Sequence, residues 1–283
     1  MNRQRVSISR RDFLIGSAAA GTGLSLGLFL PLGGARAEEG ADDAGPTEVN
    51  AWVVIAPDDT VTIRIARSEM GQGTLTGLAQ LVAEELECDW TRVRTEYPTP
   101  GENLARDRVW GSMSTGGSWG IRGSHSYVRK GGAVARHLLV QAAADAWGVP
   151  MEECTTADSV ITHLPSGRNT TYGRVAAVAA DGFPPFQVEL KDPADWTIAG
   201  QPVKRLDTED KVTGRQVFGA DLRLPGMLNA AVRACPVFGG TLESFDAAAV
   251  EGMPGVRKVV RVDDTAVAVV AGVGGGVLFV PIV

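Results

Sequence analysis

Cysteine and histidine are scarce in this chain, three of each in 283 residues, and neither is spaced for metal or redox work. Cys88, Cys154 and Cys235 form no Cys-x-x-Cys pair, so no zinc knuckle or iron–sulfur cluster is written into the sequence. An odd number of thiols argues against a complete disulfide framework, and the three read as isolated core thiols. His125, His137 and His163 show no His-x-His or His-x-x-x-His spacing and read as surface or capping residues. Positive charge is also in deficit, with 27 Lys+Arg against 33 Asp+Glu. An acidic surface suits neither nucleic acid nor anionic lipid and mainly serves solubility.

The longest mostly apolar run is at the start, MNRQRVSISRRDFLIGSAAAGTGLSLGLFLPLGGARA, and a shorter, glycine-broken apolar tail occupies Gly272 to Val283. A basic beginning, a Gly- and Ala-rich apolar stretch and the small-x-small end Ala35-Arg36-Ala37 predict a signal peptide over residues 1–37. The pair Arg10-Arg11 resembles the twin-arginine signal, which implies the Tat export machinery and delivery of a folded protein to the periplasm. Removing the segment leaves 246 residues at a net charge of about −10. No other run is long and apolar enough to span a bilayer.

Glycine is plentiful, 35 residues, well above a usual share of about 7%, so many backbone positions turn sharply or approach something closely. After an acidic lead-in, residues 51–55 and 61–67 read as two strands joined through Pro57-Asp58-Asp59. From Thr74 the period changes. Leu75, Leu78, Ala79, Val82 and Leu86 form a helical stripe, with acidic residues on the opposite face. A strand at 93–97, an irregular stretch at 98–126 and a helix at 127–147 follow, the helix stopped by Gly148-Val149-Pro150. Mixed pieces occupy 150–200, around 159–162 and 172–180. Beyond Arg205 the texture becomes mostly extended, with a short helix near 247–251 and strands at 256–262 and 266–271. The fold class expected is α+β, a mixed sheet-and-helix arrangement with domains at 38–200 and 201–283.

Two glycine-rich stretches stand out for chemistry. Met-Gly-Gln-Gly at 70–73 sits where a strand pattern yields to a helix pattern. A glycine turn opening a helix presents backbone N–H groups and the positive end of the helix dipole, which suits an anion. The spacing has one residue too many for Gly-x-Gly-x-x-Gly and lacks the Gly-Lys-Ser/Thr of a P-loop, against both a dinucleotide fold and an ATPase. What remains is either a helix-capping turn or a glutamine flanked by glycines against which a planar polar cofactor lies. The second stretch, SMSTGGS at 112–118, supplies hydroxyls and consecutive backbone donors near Arg122. Its alternative is a flexible surface loop. Together, two donor loops and an export route for folded proteins point to a large phosphate-bearing cofactor held by the backbone.

The run SEMGQGTLTGLAQLVAEELECDWTRVRTEYP, then STGGSWGIRGS, AWGVP, SGRNTTYGRVAAVAA, KVTGRQVFGADLRLPGML and CPVFGG, resembles the molybdopterin-binding large subunit of the xanthine dehydrogenase family. The likeness is strongest to the exported isoquinoline 1-oxidoreductase beta-subunit type, also described as aldehyde oxidase-like. It runs from about residue 49 to 271. The resemblance implies a molybdenum ion on a pterin dithiolene, extended as molybdopterin cytosine dinucleotide, with no iron–sulfur cluster in this chain. It implies that Gly71, Gln72 and Gly73 line the pterin or its phosphates, joined by Ser114, Thr115, Gly116, Gly117 and Ser118. It implies oxidative hydroxylation of an aldehyde or N-heteroaromatic substrate with water as oxygen source, electrons leaving through a [2Fe-2S] small subunit, with a cytochrome c as candidate acceptor. The segment from about 205 to 271 resembles the family's α/β hammerhead domain. Family members continue for several hundred residues that carry most of the cofactor site and the catalytic glutamate. The expectation is therefore a C-terminally truncated product with no catalytic residue of its own; Glu69, Glu84 and Glu85 read as helix-end or surface carboxylates. The alternative is a catalytically inert exported binding or assembly module built on that scaffold.

Overall fold

The computed structural model describes residues 45–272. The expected export signal at 1–37 and all but the first residue of the glycine-broken apolar tail at 272–283 lie outside these residues. The chain forms two compact units that divide between Thr213 and Gly214. Both combine sheet and helix, so the fold is α+β.

In the first unit, β1 (Thr47–Asn50), β2 (Val53–Ile55), β3 (Val61–Arg64) and β4 (Val93–Glu96) form a sheet in that order. The pairs β1–β2 and β2–β3 are antiparallel, whereas β3 and β4 run parallel, Val61 opposite Val93. Parallel neighbours require a crossover, and helix α1 (Thr74–Leu86) provides it. The strand expected at 51–55 starts only at Val53. Asn50 is buried and its Oδ1 accepts the N–H groups of Trp52 (2.8 Å) and Val53 (3.1 Å), so Ala51 and Trp52 turn instead of extending.

The apolar stripe of α1 is buried as the spacing predicts, with Leu78, Ala79, Val82 and Leu86 in the core. Its acidic face is not at the surface, contrary to expectation: Glu84 and Glu85 are 1% and 0% exposed. Residues 191–199 cover that face. Glu84 Oε2 accepts the amides of Thr197 (2.9 Å), Ile198 (2.6 Å) and Ala199 (2.9 Å), and Oε1 meets Lys191 Nζ at 2.5 Å. Glu85 pairs with Arg129 Nε (2.7 Å) and accepts the Lys191 amide (3.1 Å), while the Arg129 guanidinium lies 5.0 Å over the Trp196 ring. Every one of these buried charges has an opposite charge or a row of amides, the condition under which burial is tolerated.

The stretch at 98–126 is less irregular than its composition suggests. It holds α2 (Pro100–Ala105) and α3 (Trp119–Arg122). Thr99 and Glu102 cap α2 reciprocally, with Pro100 in the first turn. Helix α4 (His125–Trp147) packs on α1 and ends at Gly148, whose φ of +65° a side chain would resist. The antiparallel sheet β5 (Cys154–Ala157), β6 (Val160–His163) and β7 (Asn169–Thr171) follows, then α5 (Tyr172–Ala180), whose Tyr172 hydroxyl donates to Leu86 O at 2.6 Å. Helix α6 (Thr208–Val212) closes the unit.

Of the thiols, only Cys88 lies in the core; Cys154 and Cys235 are partly exposed. His163 is buried rather than superficial, its ring held between Ser166 Oγ (2.7 Å) and Glu153 Oε2 (2.8 Å).

The second unit is built on β8 (Asn229–Ala234), β9 (Val256–Arg261) and β10 (Ala266–Ala271), antiparallel in the order β8-β10-β9. Helix α7 (Ala248–Glu251) brings Val250 to a core of Leu242, Val259, Val267 and Val269. The texture after Arg205 is less extended than expected: α6 and a 3-10 turn at Gly219–Asp221 precede the first strand. No helix among the described residues is long and apolar enough to cross a membrane.

Candidate functional site

The loop between β3 and α1 carries the first predicted site residues. Gly71 and Gly73 hold φ of +105° and +87°, values open to glycine and strained for other residues. A Cβ added at either would meet no atom within 4 Å, so both present an open face. Gly73 occupies the N-cap of α1 and has no side chain to offer the helix amides. Glu69 does this instead. Its Oε1 accepts the N–H of Gly71 (2.7 Å) and Gly73 (3.0 Å), and Oε2 accepts that of Leu75 (3.0 Å). A carboxylate is the favoured group at this end of a helix dipole. Burial pushes the Glu69 carboxyl upward, but the amides of Gly73, Leu75 and Gly71 and the charge of Arg205 outweigh it and hold it below the usual carboxylate range.

Arg205 grips the loop from α6's side. Its Nη2 lies 3.1 Å from Glu69 Oε1 and its Nη1 donates to Gly71 O at 3.0 Å. Asp207 takes the same guanidinium bidentately, 2.9 Å on each oxygen, and Lys211 Nζ reaches Asp207 Oδ2 at 2.5 Å. The Arg205 hydrogen bond, opposed by burial and aided by Lys211, holds the Asp207 carboxyl well below its usual range. Gln72 is exposed, and its side-chain amide is engaged in its own loop: Nε2 donates to Ser68 O (2.9 Å) and Oε1 accepts the Met70 amide (2.6 Å).

The second glycine-rich stretch lies against the first. Ser68 N–H donates to Thr115 Oγ1 at 2.8 Å, Arg67 donates to Ser114 O, and Arg67 Nε reaches Ser124 Oγ at 3.1 Å. Close packing between α3 and the start of α1 brings them together: a Cβ on Gly120 would stand 2.9 Å from Thr74 Oγ1. Ser114 and Gly116 to Ser118 are exposed, Thr115 is half-buried, and Gly117 and Ser118 are successive left-handed residues before α3. Arg122 stacks 5.0 Å over Trp119 and donates to Gly117 O at 3.4 Å.

All eight predicted positions thus fall in two touching loops, although the loops lie more than forty residues apart in sequence. Glu69, Arg67 and Arg205 organise them. A carboxylate just ahead of Gly-x-Gly at a helix start was a readable signal for the first; Arg205 comes from too far along the chain to be read. The open glycine faces fit a planar polar ring. The amides of Gly71, Gly73 and Leu75 do not fit a phosphate oxygen, because Glu69 already fills them. Among the described residues no group of three His, Cys, Asp or Glu side chains is placed to hold a metal ion, so a metal at these loops needs its own ligand scaffold. A cavity of about 530 Å³ is lined by His137, Val140, Met151, Cys154 and Val188 among others and includes no residue of either loop.

Comparison with known proteins gives the chemistry a context. The family described as molybdopterin cofactor-binding domain matches residues 3–220. The chain is 31% identical to the beta chain of isoquinoline 1-oxidoreductase of Brevundimonas diminuta, over 90% of this chain and 37% of that one. It is 30% identical to a membrane-bound aldehyde dehydrogenase [pyrroloquinoline-quinone] of Gluconacetobacter polyoxogenes, over 93% and 34%. A nicotinate dehydrogenase subunit of Pseudomonas putida is 27% identical over 91% and 22%. The chain therefore spans between about a fifth and two fifths of the length of these relatives. Among solved structures, quinoline 2-oxidoreductase from Pseudomonas putida 86 aligns at 19% identity over 47% of this chain and 17% of that one, with a TM-score of 0.30.

Proposed function

The chain belongs to the molybdopterin-binding subunits of the xanthine dehydrogenase family, and from that premise we propose that it is the cofactor-holding part of a molybdenum hydroxylase. When bound, the cofactor supplies oxidative hydroxylation with water as oxygen source. The substrate class is an aldehyde or an N-heteroaromatic ring, in line with the named substrates of the relatives. Electrons pass to a [2Fe-2S] subunit and on to a cytochrome c. The Arg10-Arg11 signal directs the folded protein to the periplasm, and the segment from about 205 to 271 belongs to a hammerhead-like domain.

The observation that carries the reading is the meeting of the two loops through Ser68 and Thr115, beside two glycine faces with open space in front of them. Gly71, Gln72 and Gly73 would line the pterin ring, the missing Cβ atoms of the two glycines allowing close approach of the backbone. Ser114, Thr115, Gly116, Gly117 and Ser118 would offer hydroxyls and amides to the cofactor, and Arg122, rather than the corner that Glu69 fills, would hold the phosphates of a cytosine dinucleotide form. The chain contributes binding and orientation, without a metal-holding cluster of side chains among the described residues.

The test is metal and pterin analysis of the full chain purified from cells that make the cofactor. Stoichiometric molybdenum, lost on Gln72→Ala with folding intact by circular dichroism, is the expected result. No molybdenum in the wild-type chain, alone or with the iron–sulfur subunit, overturns the reading and favours an inert exported module on the same scaffold.

A further inference from the structure

We propose that Glu69 is a positioning residue of this site: its carboxylate stands where an anion would bind at the start of α1, fixes Gly71 and Gly73 in their left-handed form, and reserves their open faces for the uncharged ring of a cofactor. Only the identity of that cofactor rests on the molybdopterin reading above; the capture of the carboxylate stands on geometry.

A helix begins with amides that no intrahelical carbonyl can reach, and usually the N-cap side chain or a bound anion takes them. Here the N-cap is Gly73, which has no side chain. Glu69 reaches forward over the loop and uses both oxygens, one on Gly71 and Gly73 and the other on Leu75, at 2.7–3.0 Å. Its side chain is 6% exposed, so a second anion entering this corner would have to expel it. Arg205 opposes expulsion by holding Glu69 Oε1 and Gly71 O together, and Asp207 and Lys211 continue the pattern in alternating sign. Along the row Glu69, Arg205, Asp207, Lys211 each cation is already matched by a carboxylate, so the row offers a free phosphate no uncompensated positive charge. Gln72 adds a second fastening through Ser68 and Met70. The loop is therefore built before any ligand arrives, which lowers the ordering cost of binding.

Residue-resolved hydrogen exchange and amide NMR of the full chain, with inorganic pyrophosphate as probe, test this. In the wild type the amides of Gly71, Gly73 and Leu75 are protected, and pyrophosphate leaves the first two unshifted. In Glu69→Ala all three lose protection by at least about tenfold, and pyrophosphate shifts Gly71 and Gly73. Glu69→Gln is more selective. Its carbonyl oxygen keeps Gly71 and Gly73, but its NH2 group faces the Leu75 N–H, so Leu75 alone loses protection. This variant keeps the proposal testable if the alanine chain does not fold. Pyrophosphate shifts at Gly71 and Gly73 in the wild type, or Leu75 protection undiminished in Glu69→Gln, overturn it. Failure of the cofactor reading looks different: the exchange pattern holds while molybdenum is absent.

Discussion

Replacing Glu84 by alanine is the most demanding single test of the first unit. The carboxylate is 1% exposed and holds Lys191 and three consecutive amides, 197–199, against α1. Hydrogen bonds to a charged acceptor contribute about 1.5–3 kcal/mol each. Their sum overstates the loss, because residues 191–199 can peel away and rehydrate. Breaking a buried pair by removing one partner costs about 3–5 kcal/mol, and that is the expected effect of Glu84→Ala. Glu84→Gln retains one oxygen for the amides but turns an NH2 group toward the Lys191 ammonium or the amides, and about 2 kcal/mol is expected. Against a total stability of about 5–15 kcal/mol, the alanine change is large. Urea unfolding followed by far-UV circular dichroism measures it, and the tryptophan fluorescence difference between chains with and without Trp196→Phe, which isolates the ring in the covering strap, separates local peeling from global unfolding. Acid should act on the same clasp. Burial raises the Glu84 carboxyl, but the hydrogen bonds from Lys191, Ile198 and Ala199 prevail and lower it below its ordinary value. A lowered folded-state pKa adds stability above the ordinary carboxylate pKa, and that stability is lost as pH falls through the folded value. The alanine variant should therefore show a shallower loss of stability with acid than the wild type. Both variants within about 0.5 kcal/mol of wild type would refute the reasoning.

Gly132→Ala should cost about 1–3 kcal/mol, toward the upper end. The new Cβ would lie 2.4 Å from Val82 O, a backbone atom that cannot rotate aside, so α1 and α4 must separate; a melting curve overlapping that of wild type would contradict this packing. Thiol titration should find Cys154 and Cys235 reactive in the folded chain and Cys88 only after denaturation, because burial pushes the Cys88 thiol up to about 12. Three thiols reacting at one rate in the native protein would count against the buried placement of Cys88.

Much of this architecture was legible where a local period decides it. The stripe of α1 and the long run of α4 follow a 3.6-residue repeat that needs no knowledge of distant residues, and the loop with Gly71 and Gly73 lies where one period gives way to the other. Helix α2 was missed: Thr99-Pro100-Gly101-Glu102 is a capping box with proline in its first turn, but so short a helix in a Gly- and Arg-rich stretch shows no apolar period. The burial of Glu84 and Glu85 was not legible either. Their cover comes from residues 191–199, more than a hundred positions away, and no local pattern announces which polar face a later segment will roof. The same distance hid Arg205 from the glycine loop. In the candidate site the residue types were readable as donors; that a neighbouring carboxylate already satisfies three of them depends on side-chain reach, which sequence spacing leaves open.

The strand order of the second unit has a consequence for synthesis. Of the three strands β10 is made last and lies in the middle of the sheet, so β8 and β9 touch it and not each other. While the polypeptide is still emerging from a ribosome, both earlier strands stay without a partner until residues 266–271 have cleared the exit. In the first unit the sheet pairs in the order its strands are made, β1 to β4, and only the cover at 191–199 and the Arg205 contact arrive later, in keeping with N-terminal domains folding first during translation. Assembly of the second unit is then a single late event, and any stall before residue 266 leaves two bare strand edges available to the wrong neighbour.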